Sequence, residues 1–171
     1  MADRAAPILP RPALPKALAG GDVRRILIHP DPMLRDISQP AGYMTGPELH
    51  RLARDLMASM YEAGGRGLAA PQIGVLRRVF VMDVGWKDGA SRPLVMLDPE
   101  IVARSDRHAP GEEQCLSIPN QPVMVTRPVE IVMAWYDLDG SHQRAALDGS
   151  AARVAQHEAD HLGGRLIVDF L

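Results

Sequence analysis

Residues 156–164 read Gln-His-Glu-Ala-Asp-His-Leu-Gly-Gly, and within them His157, Glu158 and His161 form H-E-x-x-H. On a helix, residues four apart share a face, so the two imidazoles aim at a common point. Neutral imidazoles placed this way suit a divalent metal, and Glu158 beside them can act as base toward a water on that metal. Two protein ligands are too few for a tight site. Cys115, the only cysteine in the chain, is the candidate for the third. Ordinary readings compete with this one. Polar helices produce H-E-x-x-H by chance, and a solitary cysteine is commonly a small buried apolar residue.

The bulk composition narrows the field. A chain of 171 residues is long enough for one domain with a full core. A net charge of -2 and a pI near 6.3 argue against a surface built for nucleic acid. No apolar run approaches the ~20 residues needed to cross a bilayer, so no membrane association is expected. A single cysteine excludes an internal disulfide and fits a reducing compartment, hence a cytoplasmic location. Residues 1–22 carry four prolines (Pro7, Pro10, Pro12 and Pro15) and no periodic pattern. Residues 1–23 are therefore expected to be a flexible tail without the apolar core of a secretion signal, and 24–171 one catalytic domain.

Outward from H-E-x-x-H, Asp148 or Ser150 can cap its helix, and Ala151, Ala152, Val154, Ala155 and Leu162 make that helix apolar enough to be central. Gly163-Gly164 ends it, and Leu166–Val168 reads as a last short strand. An earlier helix opens at Thr45-Gly46-Pro47-Glu48, a capping box with a tolerated proline. Leu49, Leu52, Ala53, Leu56, Met57 and Met60 form its core stripe, with His50, Arg51, Arg54 and Asp55 on the wet side. Strands are expected over Arg78–Val84, Pro93–Val102, Val123–Val125 and Val129–Tyr136, with His142–Leu147 returning as a hairpin. The stretch 65–74, rich in Gly and Ala, lacks the Lys-Ser/Thr of a phosphate loop. Its small residues suggest close approach by another backbone, as when a peptide lies against a strand edge.

Three stretches coincide in order: Gly65–Gln72 (G-R-G-L-A-A-P-Q), Glu113–Ser117 (E-Q-C-L-S) and Gln156–His161 (Q-H-E-A-D-H). Together they resemble the three motifs of the peptide deformylases, and the similarity runs from about Arg25 to the end. The resemblance implies an α+β fold, with antiparallel strands packed around the helix that carries H-E-x-x-H. It implies hydrolysis of the N-formyl group from the formyl-methionine of nascent polypeptides. Matched by position, it makes Cys115, His157 and His161 the metal ligands and Glu158 the general acid and base. The oxyanion donors become the Gln72 side-chain amide and the Leu116 backbone N–H. It favours Fe(II), although one thiolate and two imidazoles also accept Zn(II), Ni(II) or Co(II).

This donor set suits amide hydrolysis. Three ligands leave an open position, and a metal lowers the pKa of bound water from 15.7 toward ~7. Glu158 takes the proton and later hands it to the departing amine. We further expect Asp160 to be held by Arg127 and to orient the motif from behind. Val154 and the loop around Leu68 should wall a methionine pocket, with Gly67 admitting the peptide backbone. A monomer is expected, acting on formyl-methionyl peptides.

Three departures from the family pattern stand out. Gln114 replaces a glycine beside the ligand, which predicts crowding of the cleft and backbone strain. Pro122 stands where some members carry an arginine. The chain ends seven residues after Gly164, without the carboxy-terminal helix of many members, which weakens any case for docking at the ribosome. Two other readings therefore accompany deformylation: a divergent hydrolase of another N-acyl amine, and an inactive metal-bearing peptide-binding module.

Overall fold

The computed structural model describes residues 10–171. Its architecture is organised by Val79–Met82 (β2), a Val-Phe-Val-Met run buried on both faces. Alternation along the strand sends Val79 and Val81 to one side and Phe80 and Met82 to the other. The first pair meets Leu52, Leu56, Met57 and Met60 of helix α1 (Gly46–Glu62). The second meets Ala152, Ala155 and Leu162 of helix α2 (Gly149–Leu162). The sheet thus lies between two helices, each covering one apolar face.

The sheet is antiparallel throughout, in the order β1 (Gly67–Ala69), β2, β3 (Leu94–Arg104), β6 (Glu130–Tyr136) and β7 (His142–Asp148). A separate hairpin pairs β4 (His108–Cys115) with β5 (Ile118–Pro128). It closes through Leu116–Ser117, and its register breaks between Glu113 and Cys115. Leu34, Ile118, Val123, Val125, Leu166 and Ile167 pack around Cys115 under that hairpin. Helix α2 packs against β1, β2, β6 and β7, and the mixture of helices and antiparallel sheet is the expected α+β class. No helix among the described residues is long and apolar enough to cross a membrane.

The capping box of α1 forms as expected, with Thr45 accepting from the Glu48 N–H and Glu48 accepting from the Thr45 N–H. Elsewhere the structure departs from the sequence reading. Asp55 is not on the wet side of α1 but only 3% exposed. Its carboxylate accepts from the Asp22 N–H at 2.9 Å and from Arg24 at 3.1 Å. The cause is the amino-terminal segment, expected to be a flexible tail through residue 23. From Pro10 on it follows α1 instead. Leu18 is 9% exposed within the α1 core, with Leu14 packed alongside. Gly21 lies so close to the Arg54 carbonyl that a Cβ would sit 2.0 Å from its oxygen. Residues 1–9 of the expected tail lie outside the described residues.

The hairpin β4–β5 is longer than the sequence suggested because Pro110, Pro119, Pro122 and Pro128 all sit within its strands. A two-stranded sheet has free edges on both sides, where a missing N–H costs no ladder bond. Residues 65–74, read as a loop, contain edge strand β1 and a 3₁₀ turn at Ala70–Ile73. The expected strand at Leu166–Val168 is a 3₁₀ turn over Ile167–Phe170. There the Leu166 N–H donates to Asp169, itself held by Arg35 at 2.6 Å, so no strand partner is available.

Candidate metal centre

Helix α2 delivers His157 and His161 to the same side, and the β4–β5 turn brings Cys115 to meet them. His161 Nε2 lies 3.3 Å from His157 Nε2 and 3.4 Å from Cys115 Sγ. All three donor atoms are within 4.8 Å of one another, and all three residues are buried. Nitrogen and sulfur atoms bound tetrahedrally to one ion stand about 3.3 to 3.6 Å apart, given bonds of ~2.0–2.1 and ~2.3 Å. The donor set fits a single transition-metal ion in identity and spacing. His29, His50, His108 and His142 do not join it.

Glu113 orients the first histidine: His157 Nδ1 faces its Oε2 at 3.0 Å, which leaves Nε2 for the metal. Arg127 grips the same carboxylate with two bonds, Nε to Oε1 at 2.6 Å and Nη2 to Oε2 at 2.9 Å. Its remaining nitrogen Nη1 donates to Asp160 at 2.9 Å, so the expected Arg127–Asp160 contact is present as geometry. Arg153 adds a bond to Glu113 Oε1 at 2.9 Å. Its guanidinium crosses Gly111, where a Cβ would lie 2.6 Å from Cζ. Sequence reasoning placed Glu113 in a motif without giving it a partner, and it missed Arg153. The only signal was an acidic residue two positions before the cysteine, on the same side of the strand.

These contacts set the charges. Burial pushes the Glu113 carboxyl up, but hydrogen bonds from Arg127 and His157 outweigh it and bring the group to about 2. Burial pushes His157 down, while its bonds to Cys115 and Glu113 carry it up to about 10 in the metal-free protein. His161 is held well below its usual value by burial and by the neighbouring His157 charge. A metal held there would need both imidazoles neutral, so its binding would depend on pH. Burial raises Glu158 to about 7, with the His157 charge opposing. Its Oε2 is buried without a hydrogen-bond partner among the described residues, as is His161 Nδ1.

The centre opens onto a cleft of about 540 Å³ between the lead-in to β1 and strand β4. Gly67, Gln72, Leu116, Val154 and Glu158 all line it. Gln72 Oε1 accepts from the Ala69 N–H at 2.9 Å. Its Nε2 donates to Ser117 Oγ at 3.1 Å and lies 3.8 Å from Cys115 Sγ. Leu68 does not line the cleft: it is fully buried against α1, because alternation in β1 turns it away from Gly67. Ile118 and Pro119 supply apolar lining instead. The space that a Cβ on Gly67 would need is filled by the Glu158 side chain. Gln114 sits exposed at the rim, and the strain expected there is absent. Among the described non-glycine residues only Asp98 and Asn120 have positive φ.

The family model described as polypeptide deformylase matches residues 23–171. A curated peptide deformylase from Rhodopseudomonas palustris (strain TIE-1) is 45% identical over 151 residues, covering 87% of this chain and 86% of the relative. The crystal structure of peptide deformylase from Thermotoga maritima superposes with a TM-score of 0.81 at 37% identity, covering 87% of this chain and 97% of that one. A Met-Ala-Ser-bound class I type b peptide deformylase from Acinetobacter baumannii gives 0.82 at 31% identity, covering 89% and 100%. With a matching fold and this buried Cys-His-His cluster, the chain belongs to the polypeptide deformylase family.

Proposed function

We infer that this protein hydrolyses the formamide at the amino end of formyl-methionyl peptides, using one divalent metal held by Cys115, His157 and His161. The observation that carries this reading is the meeting of one sulfur and two imidazole nitrogens at metal spacing beside the Glu158 carboxylate. We assign the ion as Fe(II), which the family favours; Zn(II), Ni(II) or Co(II) suit the same donors. When bound, the metal polarises the formyl group and acidifies a water.

The chain's own residues do the rest. Glu158, raised to about 7 by burial, can take up a proton near neutral pH and hand it to the leaving amine. The Gln72 Nε2–H and the Leu116 backbone N–H face charge that develops on the formyl oxygen; losing one such donor typically costs ~10²–10³ in rate. Glu113 and Arg127 fix the His157 ring, and Asp160 completes the hold on Arg127 from the helix itself. Edge strand β1 offers its unpaired backbone to the peptide near Gly67, and Val154 with Ile118 walls the methionine side chain. The Met-Ala-Ser bound by the Acinetobacter relative is of the class expected in this cleft. We propose that the protein acts as a monomer. A reducing cytoplasm, where nascent peptides are made, keeps the ligand sulfur available.

Anaerobically purified, iron-loaded protein should deformylate formyl-Met-Ala-Ser and leave acetyl-Met-Ala-Ser intact. Turnover of the acetyl peptide alone would establish a different N-acyl hydrolase, and binding of both without turnover would establish a peptide-binding module.

A further inference from the structure

Lys87 occupies the mouth of the same cleft, next to Gly64 and Gly65. Its position is prepared by a rigid platform. The Trp86 indole donates from Nε1 to the Gly65 carbonyl at 2.9 Å. The ring also meets Tyr61 edge-on at 5.3 Å, and the Tyr61 hydroxyl donates to buried Asp83 at 2.7 Å. Lys87 Nζ lies 5.5 Å from the Trp86 ring centroid, close enough for a cation–π contact that holds its stem.

The other cations of the cleft are already engaged. Arg66 donates to the Val84 carbonyl and to Asp88. Arg153 is tied to Glu113 and to the carbonyls of Val125 and Ala109. Lys87 makes no salt bridge among the described residues. It is the cation that a substrate can use.

Geometry says where along the substrate. Strand β1 leads from Gly67 toward Gln72 and the metal ligands, so a peptide whose formyl end sits at Glu158 runs antiparallel to it. Glu158 packs against Gly67, and Gly65, whose carbonyl accepts from the Trp86 indole, precedes it by two residues on the side away from Gln72. The second and third residues of the peptide therefore pass the Trp86–Lys87 corner. Glu112, exposed on the facing wall, gives that side the opposite sign, so charge is read by position rather than by the peptide's net charge. We propose that Lys87 is a specificity-determining residue that favours an acidic side chain at the second or third position of the formyl-methionyl peptide. This rests on the deformylation reading above.

The test uses iron-loaded full-length protein and carboxy-amidated peptides, which remove the terminal carboxylate as a rival anion. Formyl-Met-Ala-Ser, formyl-Met-Asp-Ser, formyl-Met-Ala-Asp and their Lys counterparts are compared by kcat/KM. One of the two Asp peptides should exceed the neutral peptide by about two- to fivefold at low salt, the scale of an exposed ion pair. The Lys peptide at that position should be slower. The advantage should close near 1 M salt, vanish in Lys87→Ala, invert in Lys87→Glu and survive in Lys87→Arg. Asp peptides no faster than the neutral one, or an advantage that persists in Lys87→Ala, would overturn the assignment. Turnover of the neutral peptide shows separately that deformylation holds; no turnover on any peptide overturns both.

Discussion

The Glu158 carboxylate fills the space that a side chain at Gly67 would need. A Cβ built on Gly67 would lie 2.5 Å from Glu158 Oε1 and 2.9 Å from both Cγ and Cδ. The glycine is thus required by the group proposed to move the proton, and any side chain there displaces it. Gly67→Ala should lower kcat/KM by about 10²-fold or more, since a misplacement near 1 Å already costs that much. Metal content should be unchanged and the melting temperature little altered, because the metal ligands lie elsewhere. Full turnover in Gly67→Ala, measured on formyl-Met-Ala-Ser, would show that Glu158 tolerates displacement and is not the proton carrier.

Glu113 binds His157 Nδ1, Arg127 and Arg153 at once. Glu113→Gln keeps the shape but loses the charge that holds the His157 ring, so metal affinity should fall about 10- to 100-fold in a chelator competition. Glu113→Ala leaves the buried Arg127 guanidinium without its main partner, and urea unfolding should register a loss of about 3–5 kcal/mol. Wild-type affinity in both variants would remove Glu113 from the site.

Leu18, 9% exposed among α1 residues, separates a packed strap from a mobile tail. Leu18→Ala should destabilise the protein by about 2 kcal/mol, the low end for a buried leucine. A change near zero by urea denaturation would return residues 10–22 to the status of a tail.

Tyr61 gives stability a pH dependence away from the metal. Burial, then the Asp83 hydrogen bond and charge, raises its phenol above the ordinary value of 10.0. The folded state therefore binds this proton more tightly than the unfolded state. The resulting stability is complete below the ordinary phenol pKa and declines as pH rises beyond ~10. Urea midpoints between about pH 8 and 11 should fall less steeply in Tyr61→Phe than in the wild type. Parallel curves would mean that the Tyr61–Asp83 contact is not proton-linked.

Much of the site was legible because its chemistry is written locally. His157, Glu158 and His161 stand at helical spacing, and the lone cysteine stood out as the candidate for the third ligand. The resemblance then added Gln72 and Leu116. What stayed hidden depends on distant partners. Asp55 is polar and was assigned to water, but Gly21 and Arg24, more than thirty residues earlier, cover it. Leu68 looked available to the cleft until the pairing of β1 with β2 fixed which way it faces. The prolines of β4 and β5 argued against strands in a sequence that could not show both edges to be free. Glu113 was visible as a letter in a motif, yet its three partners converge from β5 and α2.

The central claim, that Cys115, His157 and His161 bind one metal together, is best tested by titrating metal-free protein with Co(II) under argon and recording the absorption spectrum. Cys115 is the only cysteine in the chain, so any sulfur-to-cobalt charge-transfer band must arise from it. The expected result is one equivalent bound, with that band present in the wild type and lost in Cys115→Ser. One-equivalent binding with no sulfur band, or binding and spectrum unchanged in Cys115→Ser, would contradict it.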